Sequence, residues 1–129
     1  MVTFIYAGLM GFLLFLISFE TIKGRRKHMI SLGAGKNNEI EQLVAAHSNF
    51  TSYVPTLLIL LYLAEVSGRT PSYILHLFGV LITVGRLCHF LAFRGKMNFT
   101  IRKAGMRLTV WPLLILSIWV LVAYVRINI

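Results

Sequence analysis

Four long apolar stretches, separated by short polar connections, make up most of this chain. They cover residues 2–22, 43–65, 74–93 and 108–125. Each is close to the about 20 residues that an α-helix needs to cross the roughly 30 Å of hydrocarbon in a bilayer. Because the connections are short, the pattern predicts an all-α membrane protein. We expect a four-transmembrane-helix up-and-down bundle that forms one domain over residues 1–129.

The composition agrees with a membrane protein. Hydrophobic residues make up 57% of the chain, and only four of its 129 residues are acidic. This leaves too little polar surface for a soluble domain. The single cysteine, Cys88, lies inside an apolar stretch and cannot form an intrachain disulfide. We interpret it as a small core side chain rather than a nucleophile.

Basic residues are distributed unequally between the two faces of the predicted bundle. Arg69 and Arg126 fall on one face. The basic residues of the other face are Lys23, Arg25, Arg26, Lys27, Lys36, Arg94, Lys96, Arg102, Lys103 and Arg107. The positive-inside rule therefore predicts that residues 23–42 and 94–107 are cytoplasmic and that both termini lie outside the cytoplasm. Despite the net charge of +9, we expect no nucleic acid partner, because basic side chains at helix ends meet anionic lipid head groups.

Polar side chains occur deep within the second and third apolar stretches. Residues 45–55 of the second stretch are largely small or polar, and the third stretch contains Arg86 and His89. An arginine near a bilayer centre costs roughly 3 kcal/mol on insertion scales, and it normally faces a bundle interior, water or a ligand. At about 1.5 Å of rise per residue, Asn49 and Arg86 lie about 9 and 10 Å inside the same membrane face. We therefore predict that they share a polar layer that forms a pocket.

Two interpretations of Arg86 are open from the residues alone. Arg86 could pair inside the bundle with Glu20 or Glu65, the two carboxylates in the apolar stretches, or it could bind a ligand. For Asn49 and His89 we favour ligand binding. For the small hydroxyl-bearing residues we favour close packing of membrane helices. These residues are Ser48, Thr51, Thr56 and Thr83.

Several short motifs occur in an order and spacing that together are specific. They are Arg25-Arg26, Glu39-Ile40-Glu41, His47-Ser48-Asn49 with Tyr53 and Pro55, Gly85-Arg86-Leu87-Cys88-His89, and Arg102-Lys103-Ala104-Gly105-Met106. On these motifs, nearly the whole chain resembles the family of membrane-associated proteins in eicosanoid and glutathione metabolism. Within that family it is similar to a small bacterial branch.

The resemblance implies a homotrimer of four-helix subunits in the inner membrane of a bacterium. Glutathione would bind between subunits near the cytoplasmic face, and a lipophilic electrophile would enter from the bilayer. Arg102 matches the arginine thought to stabilise the glutathione thiolate, which makes it the expected catalytic residue. No metal is expected. The expected glutathione-binding residues are Arg25, Arg26, Asn49, Ser52, Tyr53, Arg86, His89 and Phe93, with Lys96 as a further partner for the carboxylates.

The chain departs from the family pattern at three positions. Ala45 and Ser52 stand where the family usually has an arginine and a glutamate, and Phe93 stands where some relatives have tyrosine. Each lost charged contact to glutathione is worth roughly 1.5 to 3 kcal/mol when well made. Two function classes follow. The first is a membrane glutathione transferase or peroxidase, and the alternative is a non-catalytic member of the same fold that binds lipid or presents a partner.

A third class, a small proton-coupled exporter, is disfavoured by the position of the carboxylates. Such an exporter needs a carboxylate deep in the first helix, whereas Glu20 lies beside the basic connection. The unequal distribution of basic residues also argues against a dual-topology exporter.

Overall fold

The computed structural model describes residues 1–93 and 98–128, without the side chain of Asn128. The helices of this part of the chain are α1 (Thr3–Lys27), α2 (Asn38–Val66), α3 (Ser72–Ala92) and α4 (Phe99–Asn128). All four are long and apolar enough to cross a membrane. The prediction of an all-α protein with four candidate membrane-spanning helices is therefore confirmed.

Three of the helices extend well beyond the apolar stretches. α1 continues to Lys27, α2 begins at Asn38 and α4 begins at Phe99. Hydropathy marks the membrane-embedded part of a helix, whereas capping side chains set its end. The Asn37 carboxamide oxygen accepts from the Ile40 amide at 3.1 Å, and Asn98 does the same for the first turn of α4. Arg94 and Lys96, which we counted among the basic residues, lie outside the described residues.

α2 and α3 form the centre of the bundle. α1 packs against both of them and α4 packs against both of them, while α1 and α4 make no contact within the described residues. The buried faces meet in an apolar core that includes Met10, Ile17, Leu57, Leu61 and Leu116. Lipid tails are as apolar as these side chains, so close packing and polar contacts, more than the hydrophobic effect, hold membrane helices together.

The closest helix approach is that of α3 to α4. A Cβ atom on Gly105 would lie 2.7 Å from the Gly85 carbonyl oxygen and 2.8 Å from the His89 amide nitrogen. A Cβ atom on Gly85 would lie 2.9 Å from Leu108 Cβ. The two backbones therefore touch at this level, as small residues allow in membrane helices. This contact brings Met106 and Thr109 of α4 to Arg86 of α3.

The two ends of the bundle differ in composition. We call the end with the start of α1, the α2–α3 turn and the end of α4 the terminal face. We call the end with the α1–α2 connection and the start of α4 the loop face. At the terminal face, Glu65 of α2 accepts from the Val2 amide and, at 3.0 Å, from the Thr3 amide. The carboxylate thus caps the first turn of α1, where the helix dipole favours negative charge.

Candidate functional site

Arg86 lies at the centre of a buried polar cluster between α2, α3 and α4. Its side chain is 1% exposed. Nη1 donates to the Asn49 carboxamide oxygen at 2.7 Å, and Nη2 donates to the Thr109 hydroxyl. The guanidinium carbon lies 5.8 Å from the centre of the Tyr53 ring. Asn49 and Arg86 therefore share one layer, as their depths predict.

The sequence did not predict that two further residues, Met106 and Thr109, belong to this cluster. The Met106 sulfur lies 3.6 Å from Asn49 Nδ2 and 3.8 Å from Arg86 Nη2. The Thr109 hydroxyl donates to the Gly105 carbonyl at 2.8 Å, so its lone pairs are available to Arg86. The sequence signal that could have identified Thr109 is the helical spacing, because Thr109 lies one turn after Gly105 and shares its face.

Neither carboxylate that we considered as a partner pairs with Arg86. Glu20 lies 3.8 Å from the Lys23 amine, and Glu65 caps α1 at the opposite end of the bundle. The interpretation of Arg86 as one half of a buried ion pair is therefore wrong for the described residues. Its guanidinium is held by neutral groups, and its Nε has no hydrogen-bond partner there. Such a charge is costly in a membrane, although each neutral contact compensates part of the cost.

A second group of predicted residues lies at the loop face. His89 is 3% exposed, and its ring centre lies 5.0 Å from that of Phe93. The Arg102 guanidinium carbon lies 5.2 Å from the centre of the same Phe93 ring. Phe93 thus connects a buried histidine with a partly exposed arginine. This stacking limits the orientations that the guanidinium can adopt.

Phe93 and Arg102 also line a cavity. It has a volume of about 400 Å³ and is bounded by Asn38, Glu41, Gln42, Ala45, Phe93 and Arg102. Its walls therefore carry a cation, a carboxylate, two amides and an aromatic ring. Asn38, Gln42 and Phe93 also line a second cavity of about 590 Å³ between α1 and α2. A polar recess of this size, open to the loop face, can hold a charged small molecule.

The remaining predicted residues lie apart from both groups within one chain. Ser52 is exposed, and its hydroxyl donates to the Ser48 carbonyl of its own helix at 2.8 Å. Arg25 donates to the Ser31 carbonyl at 3.3 Å, and Arg25 and Arg26 line a separate shallow recess with Met29. The fold thus brings together Asn49, Tyr53 and Arg86, and separately His89, Phe93 and Arg102.

Comparison with known proteins gives consistent matches over the same helices. The sequence model described as "MAPEG family" matches residues 3–122. The inner membrane protein YecN of Escherichia coli strain K12 is 30% identical over 118 residues, which are 92% of this chain and 88% of the relative. The protein of the same name from Escherichia coli O6:H1 strain CFT073 matches with the same identity and coverage.

Proposed function

Since the chain belongs to the MAPEG family, the membrane-associated proteins in eicosanoid and glutathione metabolism, we propose that it is a membrane-embedded glutathione transferase or peroxidase. Its four membrane-spanning helices agree with such a role. We place it in the bacterial inner membrane, because the relative with 30% identity is named as an inner membrane protein. The basic loop face would be cytoplasmic and the termini external.

The loop-face cavity with Arg102 in its wall is the observation that carries this proposal. Its volume of about 400 Å³ falls in the usual range for small-molecule sites. A guanidinium beside a bound thiol lowers the pKa of that thiol, because it favours the charged form. In the conjugation reaction, the glutathione thiolate would form a bond to an electrophilic carbon while the leaving group departs with its electron pair. The electrophile would be a lipophilic molecule that enters from the bilayer.

In the peroxidase reaction, the same thiolate would act on a lipid hydroperoxide. Two glutathione molecules would become one disulfide, and the hydroperoxide would become an alcohol and water.

The polar walls of the cavity suit the peptide portion of glutathione. Glu41 and Arg102 carry opposite charges, as a zwitterionic peptide requires, and Ala45 leaves open the space that the usual arginine would fill.

A homotrimer would complete this site. On α2, small or hydroxyl-bearing side chains occur at helical spacing along one face, and all of them are exposed in the single chain. They are Ala45, Ser48, Ser52 and Thr56. Small residues allow membrane helices to approach closely, so this face suits contact with a second copy better than contact with lipid. In a closed trimer, Arg25 and Arg26 would reach the glutathione carboxylates of a neighbouring subunit's site.

A non-catalytic, lipid-binding or partner-presenting role is the second candidate, and one observation favours it. Both ends of the Asn49 carboxamide already have partners inside the subunit, Arg86 at the oxygen and Met106 at the nitrogen. Ser52 likewise bonds to its own helix. Asn49 and Ser52, two of the expected glutathione-binding residues of α2, therefore have partners without a ligand, and binding would have to displace these contacts.

Glutathione titration and ultraviolet absorbance of the purified, detergent-solubilised protein test the proposal. We expect weak binding and a thiolate absorbance that Arg102→Ala abolishes while affinity stays nearly unchanged. Arg107→Ala, an exposed basic residue that does not line the 400 Å³ cavity, is the matched control. The Ala45→Arg, Ser52→Glu double variant should bind more tightly than either single variant. If wild type shows no thiolate and the double variant gains no affinity, the non-catalytic role is correct.

A further inference from the structure

A small recess at the terminal face brings two distant arginines together. It lies between the α2–α3 turn and the end of α4, has a volume of about 140 Å³, and is bounded by Arg69, Trp119, Val122, Ala123 and Arg126. Arg69 and Arg126 are the two basic residues that the sequence analysis assigned to this membrane face. Although they lie 57 positions apart in the chain, the fold places both of them on one recess.

Two hydrogen bonds fix the shape of this recess. The Trp119 indole N–H donates to the Thr70 hydroxyl at 2.8 Å, which ties the turn to α4. Arg69 Nη2 donates to the main-chain carbonyl of Arg126 at 3.0 Å. Since that bond uses one of the several N–H donors of Arg69, the others are available to a ligand. The side chain of Arg126 takes no part in this bond.

The charge of the recess is not balanced by nearby acidic side chains. Glu65, the acidic residue of this face, is engaged by the backbone of α1, and Glu20, Glu39 and Glu41 lie toward the loop face. No ion pair within residues 1–93 and 98–128 includes either arginine. Two guanidinium groups on one small recess repel each other unless an anion lies between them. The arrangement therefore favours an anionic ligand.

We propose that this recess binds the phosphate group of an anionic membrane phospholipid in the leaflet at the terminal face. Arginine forms paired, charge-assisted hydrogen bonds with phosphate. The recess lies at the ends of the membrane-spanning helices, the depth of lipid head groups, where tryptophan is enriched. Val122 and Ala123 form an apolar wall, and Val122 is exposed on the surface of α4. Acyl chains attached to the bound phosphate can follow this apolar surface into the bilayer.

Quenching of Trp119 fluorescence measures such binding directly. The chain has two tryptophans, so Trp111→Phe leaves Trp119 as the single fluorophore. In this background we titrate phosphatidylglycerol with brominated acyl chains into the protein in a neutral detergent, and diacylglycerol with the same brominated chains as the phosphate-free comparison. We expect saturable quenching by phosphatidylglycerol only. Inorganic phosphate at millimolar concentration should not displace the lipid, because it lacks the acyl chains.

Variants assign the binding to the two arginines. Arg126→Gln removes one charge but keeps the main-chain carbonyl that Arg69 bonds, and it should weaken phosphatidylglycerol binding about fivefold to tenfold. Arg69→Gln combined with Arg126→Gln should abolish saturation, whereas Arg126→Lys should retain most of the affinity. Arg107→Gln, on the same helix near the loop face, should change nothing.

Three results would overturn the proposal. The first is wild-type affinity in the double variant, and the second is equal quenching by brominated diacylglycerol. The third is displacement by inorganic phosphate, which would identify a site for a free anion. If the double variant does not fold, equal affinities of wild type and Arg126→Gln are sufficient to reject the lipid site.

Discussion

Arg86 and Arg102 carry the same chemical group in two contrasting surroundings. Arg86 is 1% exposed and bonds to Asn49 and Thr109, both of them neutral, at the centre of the bundle. Arg102 is partly exposed, lies over the Phe93 ring and lines a cavity at the loop face. We therefore expect the enclosed guanidinium of Arg86 to contribute to stability and the guanidinium of Arg102, at a cavity wall, to meet a ligand.

The largest expected effect is loss of activity in Arg102→Ala. Removing a group that stabilises negative charge in a reaction commonly lowers the rate about 100-fold or more. Conjugation of glutathione to a hydrophobic aryl halide should fall by that factor, while the free energy of unfolding changes by less than about 0.5 kcal/mol. Rates in detergent or liposomes, together with denaturation by sodium dodecyl sulfate, measure both. If Arg102→Ala lowered the free energy of unfolding more than Arg86→Ala does, the contrast between the two arginines would be reversed.

Arg86→Ala should act on stability instead. The change leaves a cavity and removes the hydrogen-bond partner of the Asn49 oxygen, so it should cost about 2–4 kcal/mol of unfolding free energy. Arg86→Lys keeps the charge but not the planar guanidinium, so it should lose part of this unfolding free energy. If instead Arg86→Ala unfolds like wild type and abolishes glutathione binding, Arg86 belongs to the ligand site.

Gly105→Ala tests whether the α3–α4 contact supports the Arg86 cluster. The added Cβ would lie 2.7 Å from the Gly85 carbonyl oxygen, so the helices must separate, at a cost of about 1–3 kcal/mol. Gly11→Ala on α1 is the control, because a Cβ there meets no atom within 4 Å and alanine favours the helix. In thermal unfolding in detergent, Gly105→Ala should have a lower midpoint than wild type, and Gly11→Ala should not. An unchanged midpoint for Gly105→Ala would contradict the close packing.

Thr109→Val should give the smallest effect. It removes the hydroxyl that accepts from Arg86 Nη2, and single polar contacts between membrane helices average about 0.6 kcal/mol. Thr109→Ser keeps the hydroxyl and should retain most of the stability. Comparing Thr109→Val in wild type and in Arg86→Ala isolates the contact, because the change should be silent once the guanidinium is gone.

Hydropathy and depth predicted the parts of this fold that depend on one helix at a time. The four spans follow from apolar length, and the Asn49–Arg86 layer follows from counting residues from a common face. Met106 and Thr109 were missed because their contact with Arg86 depends on the rotation of α4, which Gly85 and Gly105 set by their close approach. The starts of α2 and α4 were not predicted, because Asn37 and Asn98 are capping signals that a hydropathy profile ignores.

The candidate site is harder to predict because it depends on relations between helices. The resemblance supplied residues such as Arg25, Ser52 and Arg102 as one set, yet a single chain keeps them apart. The proposed common role of these residues would require an assembly whose geometry no residue pattern specifies. Similarly, the sequence predicted only that Arg69 and Arg126 lie on the same membrane face, and the fold shows that both line one recess.

The Glu65 cap makes the two ends of α1 respond differently to ionic strength. At the terminal face, α1 is tied to α2 by main-chain amides that donate to a partly buried carboxylate. At the loop face, the Glu39 carboxylate forms a solvent-accessible ion pair with Lys27 and a hydrogen bond with the His28 ring. Added salt screens exposed pairs far more than buried ones. Raising the salt concentration should therefore speed amide hydrogen exchange in the last turns of α1 and leave its first turn protected.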